Sequence, residues 1–200
     1  MGTSTRSSSI QISLQVIEPS HVIWSLLRLA LEWVAGDHSA VAQWDKGTTN
    51  DGISYHRVYR QTQLLFSETN DQADWGYWYY ATKNTTNLSF QQGADASVRG
   101  AFQNTGKLGD SSETNYRPIN QQYPVFGFSS DLGSVIGPVN TLYTIGLTQQ
   151  QAIQFAGQSG IVPLSSLWTS YFPSETDAVG AFSLTYWMQE LTIQALILLQ

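Results

Sequence analysis

The stretch "DWGYWYYATKN" (Asp74–Asn84) puts five aromatic side chains into the six positions Trp75 to Tyr80, interrupted only by Gly76. Successive side chains of a strand point to opposite faces, so Trp75, Tyr77 and Tyr79 share one face, and Gly76, Trp78 and Tyr80 the other. One aromatic face could stand open as a sugar platform. Two on the same strand cannot both stand in water, because an apolar patch of that size drives association. The pattern predicts a strand covered on both sides, one face in a sandwich core and the other beneath loops or a neighbouring domain. Trp75, Tyr77, Trp78 and Tyr79 are the candidate interface or ligand-facing aromatics. An open carbohydrate-binding row of Trp75, Tyr77 and Tyr79 is the alternative.

The rest of the composition agrees with a layered β fold. The 200 residues include 7 Trp, 10 Tyr and 8 Phe, with only 12% charged, enough apolar material for a real core. Ser, Thr, Asn and Gln supply most of the polar surface, which suits turn-rich β structure better than a Lys/Glu-rich bundle. A net charge of −6 argues against binding nucleic acid. The longest early apolar run, "HVIWSLLRLALEWV", contains Arg28 and Glu32, so it predicts neither a membrane span nor a signal peptide. There is no cysteine, which removes disulfides and thiolate metal sites. His21, His38 and His56 lack metal-ligand spacing, and neither a metal nor a cofactor is expected.

Working outward, residues 1–9 read as a loose lead, and Ile10–Glu18 alternates as a strand ended by Pro19. His21–Val34 is either a buried strand or a short helix. Asp45–Gly52 reads as a turn. Ile53–Phe66 reads as a strand, with Tyr55, Arg57 and Tyr59 on one face and a slip near Gln61–Gln63. "LSFQQGADASVRGAF" reads as a strand, a glycine turn and a second strand, with Arg99 in the apolar pattern and expected to pair with an acid. "YPVFGFSSDLG" reads as an edge or entry strand because Pro124 opens it. Asn140–Leu147 is a further strand.

Thr148 and Gln151 form a capping box that predicts a short helix ending at Gly157. Ser174 and Asp177 form another, predicting a helix from Glu175 whose apolar spacing continues from Leu184 through Trp187, Met188 and Leu191. The predicted organisation is a lead over 1–9, a β domain over 10–182 and an apolar helical tail over 183–200. The fold class is mainly β: an antiparallel β-sandwich-like domain with a short C-terminal helix. It is expected to be incomplete at both ends, because that tail needs a cover from elsewhere.

Catalytic motifs are weak. "GAFQNTGKL" (Gly100–Leu108) has one residue too many between its glycines for a phosphate loop, and Leu108 replaces the magnesium-binding hydroxyl. "GQSGI" (Gly157–Ile161) brings its second glycine one position early for a nucleophile elbow and reads as a turn. A Ser-His-Asp set from distant positions stays open but unsupported. Asp71, Asp74, Asp95, Asp131, Glu175 and Asp177 could supply a carboxylate pair for glycoside hydrolysis, though nothing singles out two of them. Asp74 more simply caps a turn or bonds backbone amides. Asn84 and Asn87 open adjacent glycosylation sequons, a pattern that chance also produces in a chain this rich in Asn and Thr.

Six phrases taken in order carry a resemblance. They are "EWVAGD" (Glu32–Asp37), "DQADWGYWYYAT" (Asp71–Thr82), "QQGADASVRGAF" (Gln91–Phe102), "NYRPINQQYPVFGFSSDLG" (Asn115–Gly133), "LYTIGLTQQQAIQF" (Leu142–Phe155) and "LWTSYFPSETDAVGAF" (Leu167–Phe182). With their spacing, the chain over 32–182 resembles the N-terminal domain of fungal glutaminase A-like proteins. The resemblance implies an extracellular or cell-surface protein whose family converts L-glutamine to glutamate and ammonia. It also implies a C-terminal helical catalytic domain as the partner of this β domain, so no catalytic residue is carried over. "EPSHVIWSLLRLALEWVAGD" and the stretch after Phe182 depart from the family pattern, which suggests a truncated or mis-spliced gene product, or else a natural short paralogue.

Overall fold

The computed structural model describes residues 15–16, 22–27, 37–69, 72–137, 139 and 141–185. In chain order the strands are β1 (Gln15–Val16), β2 (Val22–Leu27), β3 (Val41–Thr48), β4 (Ile53–Arg60), β5 (Glu68–Thr69), β6 (Gln72–Ala73), β7 (Tyr77–Lys83) and β8 (Leu88–Ala94). Helix α1 (Asp95–Thr105) follows, then β9 (Ser111–Ser112), β10 (Arg117–Pro118), β11 (Pro124–Asp131), β12 (Tyr143–Thr148), β13 (Gln151–Gly157) and β14 (Gly160–Ser165). A 3₁₀ turn at Leu167–Ser170 leads to helix α2, described over residues 175–185. Two five-stranded sheets result, ordered β1-β2-β11-β8-β9 and β10-β3-β4-β7-β12, with two separate hairpins, β5-β6 and β13-β14. This is the mainly β, sandwich-like architecture that the alternation predicts.

The core forms where the even-numbered positions of β4 and β7 meet. Val58 pairs with Trp78, His56 with Tyr80 and Ser54 with Thr82, while Trp44 of β3 lies across from Val58. From the opposite sheet, Phe126 and Phe128 of β11 and Phe90 of β8 point at this layer. Trp44 meets the Phe126 ring edge-on at 5.7 Å, and Tyr80 lies 5.3 Å from Phe128. Burying such rings is the main driving force holding the sheets together.

A polar contact pins the sheets in register. His56 is fully buried, and its Nε2 lies 2.9 Å from the Gly127 carbonyl, which can only accept, so Nε2 carries the proton. Nδ1 then accepts from Gln92 Nε2 at 2.9 Å, and Gln92 Nε2 also donates to the Asp45 carbonyl at 2.8 Å. Strands β3, β4, β8 and β11 are thereby tied through two side chains. Burial pushes the His56 pKa down to about 3, against the opposing pull of the Gly127 hydrogen bond, so the ring stays neutral.

Three sequence expectations are corrected. "ADASVRGAF" is not a strand but α1, whose Val98 and Phe102 sit one turn apart and pack with Leu108 and Val125 on the outer face of the first sheet. Gly106 ends it at φ 68°, a left-handed position open to glycine, and donates its N–H to the Phe102 carbonyl. "QAIQFAG" is not a helix but β13, because Thr148 spends its hydroxyl on the Tyr77 carbonyl and Glu175 rather than on a helix start. β11 is not an edge strand: it pairs with β2 and β8, and Pro124 is tolerated because it stands at the strand's first residue.

The remaining differences are of extent. Asp45–Thr48 belongs to β3, leaving a tighter turn, and the Ile53–Phe66 strand stops at Arg60. The ambiguous segment after His21 contains strand β2. The helix predicted from Glu175 is present, capped as expected: the Asp177 N–H donates to Ser174 Oγ at 3.1 Å, and Ser174 Oγ donates to Asp177 Oδ2 at 2.6 Å. The lead over 1–9 and the apolar spacing beyond residue 185 lie outside the described residues.

Candidate functional site

The odd-numbered positions of β4 and β7 face away from the core, and there they assemble a patch. Asp45 of β3 stands opposite Arg57 of β4, which stands opposite Tyr79 of β7. Arg57 Nε lies 3.2 and 3.1 Å from the two Asp45 oxygens, and its Nη2 lies 2.8 Å from Oδ2. This forked pairing matches guanidinium to carboxylate geometry. The guanidinium carbon also lies 5.2 Å from the Tyr77 ring centre and 5.6 Å from that of Tyr59, and those rings are 5.0 Å apart. Tyr55 packs on Tyr79 at 5.4 Å, and the Tyr79 hydroxyl donates to Glu175 at the start of α2 at 2.9 Å.

Burial and the two acids set the electrostatics of the patch. Burial opposes the Arg57 charge, but hydrogen bonds and attraction from Asp45 outweigh it and raise the pKa. Burial, followed by the nearby Glu175 charge, pushes the Tyr79 hydroxyl far above its usual range. Tyr55 and Tyr59 are also raised, chiefly by burial. Near neutral pH Tyr55, Tyr59 and Tyr79 therefore keep their protons, and Arg57 keeps its charge beside Asp45. Beside it, an apolar cleft of about 250 Å³ lies between Tyr79, Leu147, Trp168 and the α2 residues Ala178 and Phe182.

The four singled-out aromatics separate. Trp78 packs against the core, Tyr77 and Tyr79 lie on the outer face, and Trp75 precedes the strand. Tyr79 is 1% exposed beneath Tyr55 and Glu175, so Trp75, Tyr77 and Tyr79 do not form an open row. Gly76 has φ +105°, and a Cβ there would stand 2.7 Å from the Thr148 carbonyl oxygen. That position needs glycine, which is why the aromatic run is interrupted.

Each candidate acid among the described residues has a partner of its own. Asp74 is buried, bonds Arg60 at 2.9 Å and accepts from the Ser67 and Thr69 hydroxyls at 3.0 and 2.9 Å. Asp95 pairs with Arg99 at 2.5 Å across one turn of α1, so Arg99 does find an acid, but on a helix and more than a third exposed. Asp131 accepts from the Gly133 N–H, Asp177 caps α2, and Glu175 binds Tyr79. Asp71 and His21 lie outside the described residues. His38 is exposed while His56 is buried, and among the described residues no group of three or more His, Cys, Asp or Glu could hold a metal ion. Asn84 and Asn87 are both exposed in the turn between β7 and β8. Among the described residues no helix is long and apolar enough to cross a membrane.

Sequence reasoning placed Tyr55, Arg57 and Tyr59 on one face but missed Asp45 and Glu175 as their partners. Asp45 is visible only once β3 and β4 are set in register, and Glu175 reaches the patch from 96 residues beyond Tyr79.

Comparison with known proteins gives two results. The sequence profile of a family described as a domain of unknown function (DUF5127) matches residues 8–196. Among its relatives, the chain is 48% identical over 181 residues to Glutaminase A of Aspergillus oryzae, covering 90% of this chain and 26% of that protein. It is also 30% identical over 156 residues to a probable glutaminase of Arthroderma benhamiae, covering 71% of this chain and 18% of that protein. The chain thus spans about a quarter or less of the length of both relatives.

Proposed function

This chain belongs to the DUF5127 family, and from that premise we propose that it is the non-catalytic β-sandwich scaffold of a glutaminase A-like protein. In the whole protein, which would hydrolyse L-glutamine to glutamate and ammonia, this domain packs against a C-terminal helical catalytic domain and helps shape the active site. The observation that carries the reading is the 48% identity to Glutaminase A over nearly the whole of this chain. The site supports it physically. The acids are spent on structural partners, His56 is sealed and neutral, and the outer face offers aromatic rings and an arginine, the residue types enriched at protein interfaces.

The test is direct. The purified 200-residue chain, given L-glutamine, should release no ammonia above a heat-denatured control. Release above that control places glutaminase chemistry inside this domain and overturns the scaffold reading.

The same proposal includes an extracellular or cell-surface location, with glycans on Asn84 and Asn87. Expression through a fungal secretory pathway should then give a mass that falls on enzymatic deglycosylation. An unchanged mass removes the glycan part of the proposal.

A further inference from the structure

From Leu132 to Ser174 the sequence contains no Asp, Glu, Lys, Arg or His. Within that span, β13 and β14 pair with each other and belong to neither five-stranded sheet. Phe155 stands opposite Val162, and Ile153 opposite Leu164, so these four side chains form one block on one face of the ribbon. Their exposures are 56%, 46%, 59% and 43%, and Ile161 on the other face is 69% exposed. A two-stranded ribbon is marginal by itself in water, and natural proteins usually protect such elements with charge. This one has none.

The foot of the ribbon is nevertheless well held. The Trp75 indole N–H donates to the Gln151 carbonyl at 2.8 Å, and Gln149 Nε2 donates back to the Trp75 carbonyl at 3.3 Å. The Ser166 N–H donates to the Gln150 carbonyl at 3.0 Å, and Trp168 Nε1 to the Gln149 carbonyl at 3.2 Å. A fixed stem thus presents an uncharged apolar blade.

We propose that the β13–β14 hairpin is a docking arm whose Ile153, Phe155, Val162 and Leu164 face seats on the part of a glutaminase A-like polypeptide outside the region this chain matches. The inference rests on the scaffold reading and names the element that makes the contact. Two observations favour this occupant. About three-quarters of the Aspergillus oryzae relative lies outside the match, so a large surface of the same polypeptide is available. The absence of charge over the arm fits the buried centre of a permanent interface, where charged residues are depleted. A second copy adding along the edge of β14 is disfavoured because Pro163 has no N–H to give a new ladder.

The experiment grafts the 200 residues into Aspergillus oryzae Glutaminase A in place of the matched region. Hydroxyl-radical labelling of Ile153, Phe155 and Leu164, and hydrogen exchange over Gln151–Ser165, are then compared with the isolated chain. Seating should slow both by roughly tenfold in the graft, since the ribbon opens easily when uncovered. Equal labelling in the two proteins overturns the arm. If the arm stays open while the Tyr55, Tyr59 and Tyr77 face gains protection, the scaffold reading stands without the arm. If neither face changes, both fall.

Concentration-dependent dimerisation of the isolated chain that I153T/F155S abolishes would assign the blade to a second copy, again overturning the proposal. Should the graft not fold, the natural Aspergillus protein is labelled over the segment aligned with Gln151–Ser165 and judged by the same ratio.

Discussion

His56→Phe lowers the stability of the fold by about 3 kcal/mol at neutral pH, and the deficit shrinks as the solution is acidified. Phenylalanine fills much of the same space but removes the side-chain donor to the buried Gly127 carbonyl and one of the two acceptors of the Gln92 amide, which keeps only the Asp45 carbonyl. The pH dependence follows from the sign of the shift. In the fold, burial holds the His56 pKa at about 3, whereas the unfolded chain titrates near 6.5. Above 6.5 neither state takes the proton. Below it the unfolded chain binds a proton that the native ring refuses, so stability falls as pH falls, by roughly 1.4 kcal/mol per unit until about pH 3.

The phenylalanine variant has no such proton to bind. Its gap from the parent should narrow by roughly 2.5 kcal/mol between pH 7 and pH 4.5, while carboxylate contributions cancel in the difference. Urea unfolding of both proteins across that range measures it. Parallel stability curves would mean that His56 is accessible to protons in the native state.

Asp74→Ala should cost about 3 kcal/mol, because it leaves the mostly buried Arg60 guanidinium with only the longer 4.0 Å pairing to Asp37 and removes the acceptor of two hydroxyls. Arg60→Met/Asp74→Ala should cost less than the sum of its single substitutions, since removing both charges leaves neither uncompensated. A denaturant double-mutant cycle reads the coupling, expected at about 2 kcal/mol. Strict additivity would show that the pair is solvated and that the hydroxyl bonds carry the cost. The loop between Arg60 and Gly76 is the segment at stake, because Asp74 also exchanges backbone hydrogen bonds with Leu64 and Ser67.

What could be read in the sequence was whatever rested on a period of two with one buried face. Val58, Trp78 and Tyr80 announce themselves because polar or oppositely facing residues separate them, and the covered aromatic strand follows. The Ser174–Asp177 cap was legible for a similar local reason. Misreadings occurred where two local rules competed. Asp95–Arg99 and Val98–Phe102 are both helical spacings, but the preceding glycine and the apolar strand of β8 suggested a second strand. Thr148 and Gln151 have the letters of a capping box, yet the Thr148 hydroxyl is claimed by Tyr77 and Glu175 from distant parts of the chain. Pro124 suggested an edge because a proline inside a sheet loses a donor, a cost that vanishes at a strand's first residue. The outer patch was half legible, since alternation places Arg57 among tyrosines while only strand register brings Asp45 to it.

The indole that secures the hairpin's foot belongs to the same short run that supplies Tyr80 to the interior. Only Gly76 separates Trp75 from β7, so the position of that indole is set by the closing of the sandwich itself. A sandwich whose layers were not closed would lose that indole's hold and keep only the Ser166 and Trp168 bonds at the ribbon's foot. The run Trp75 to Tyr80 thus serves two places at once, the interior between the sheets and the base of a ribbon that stands apart from them.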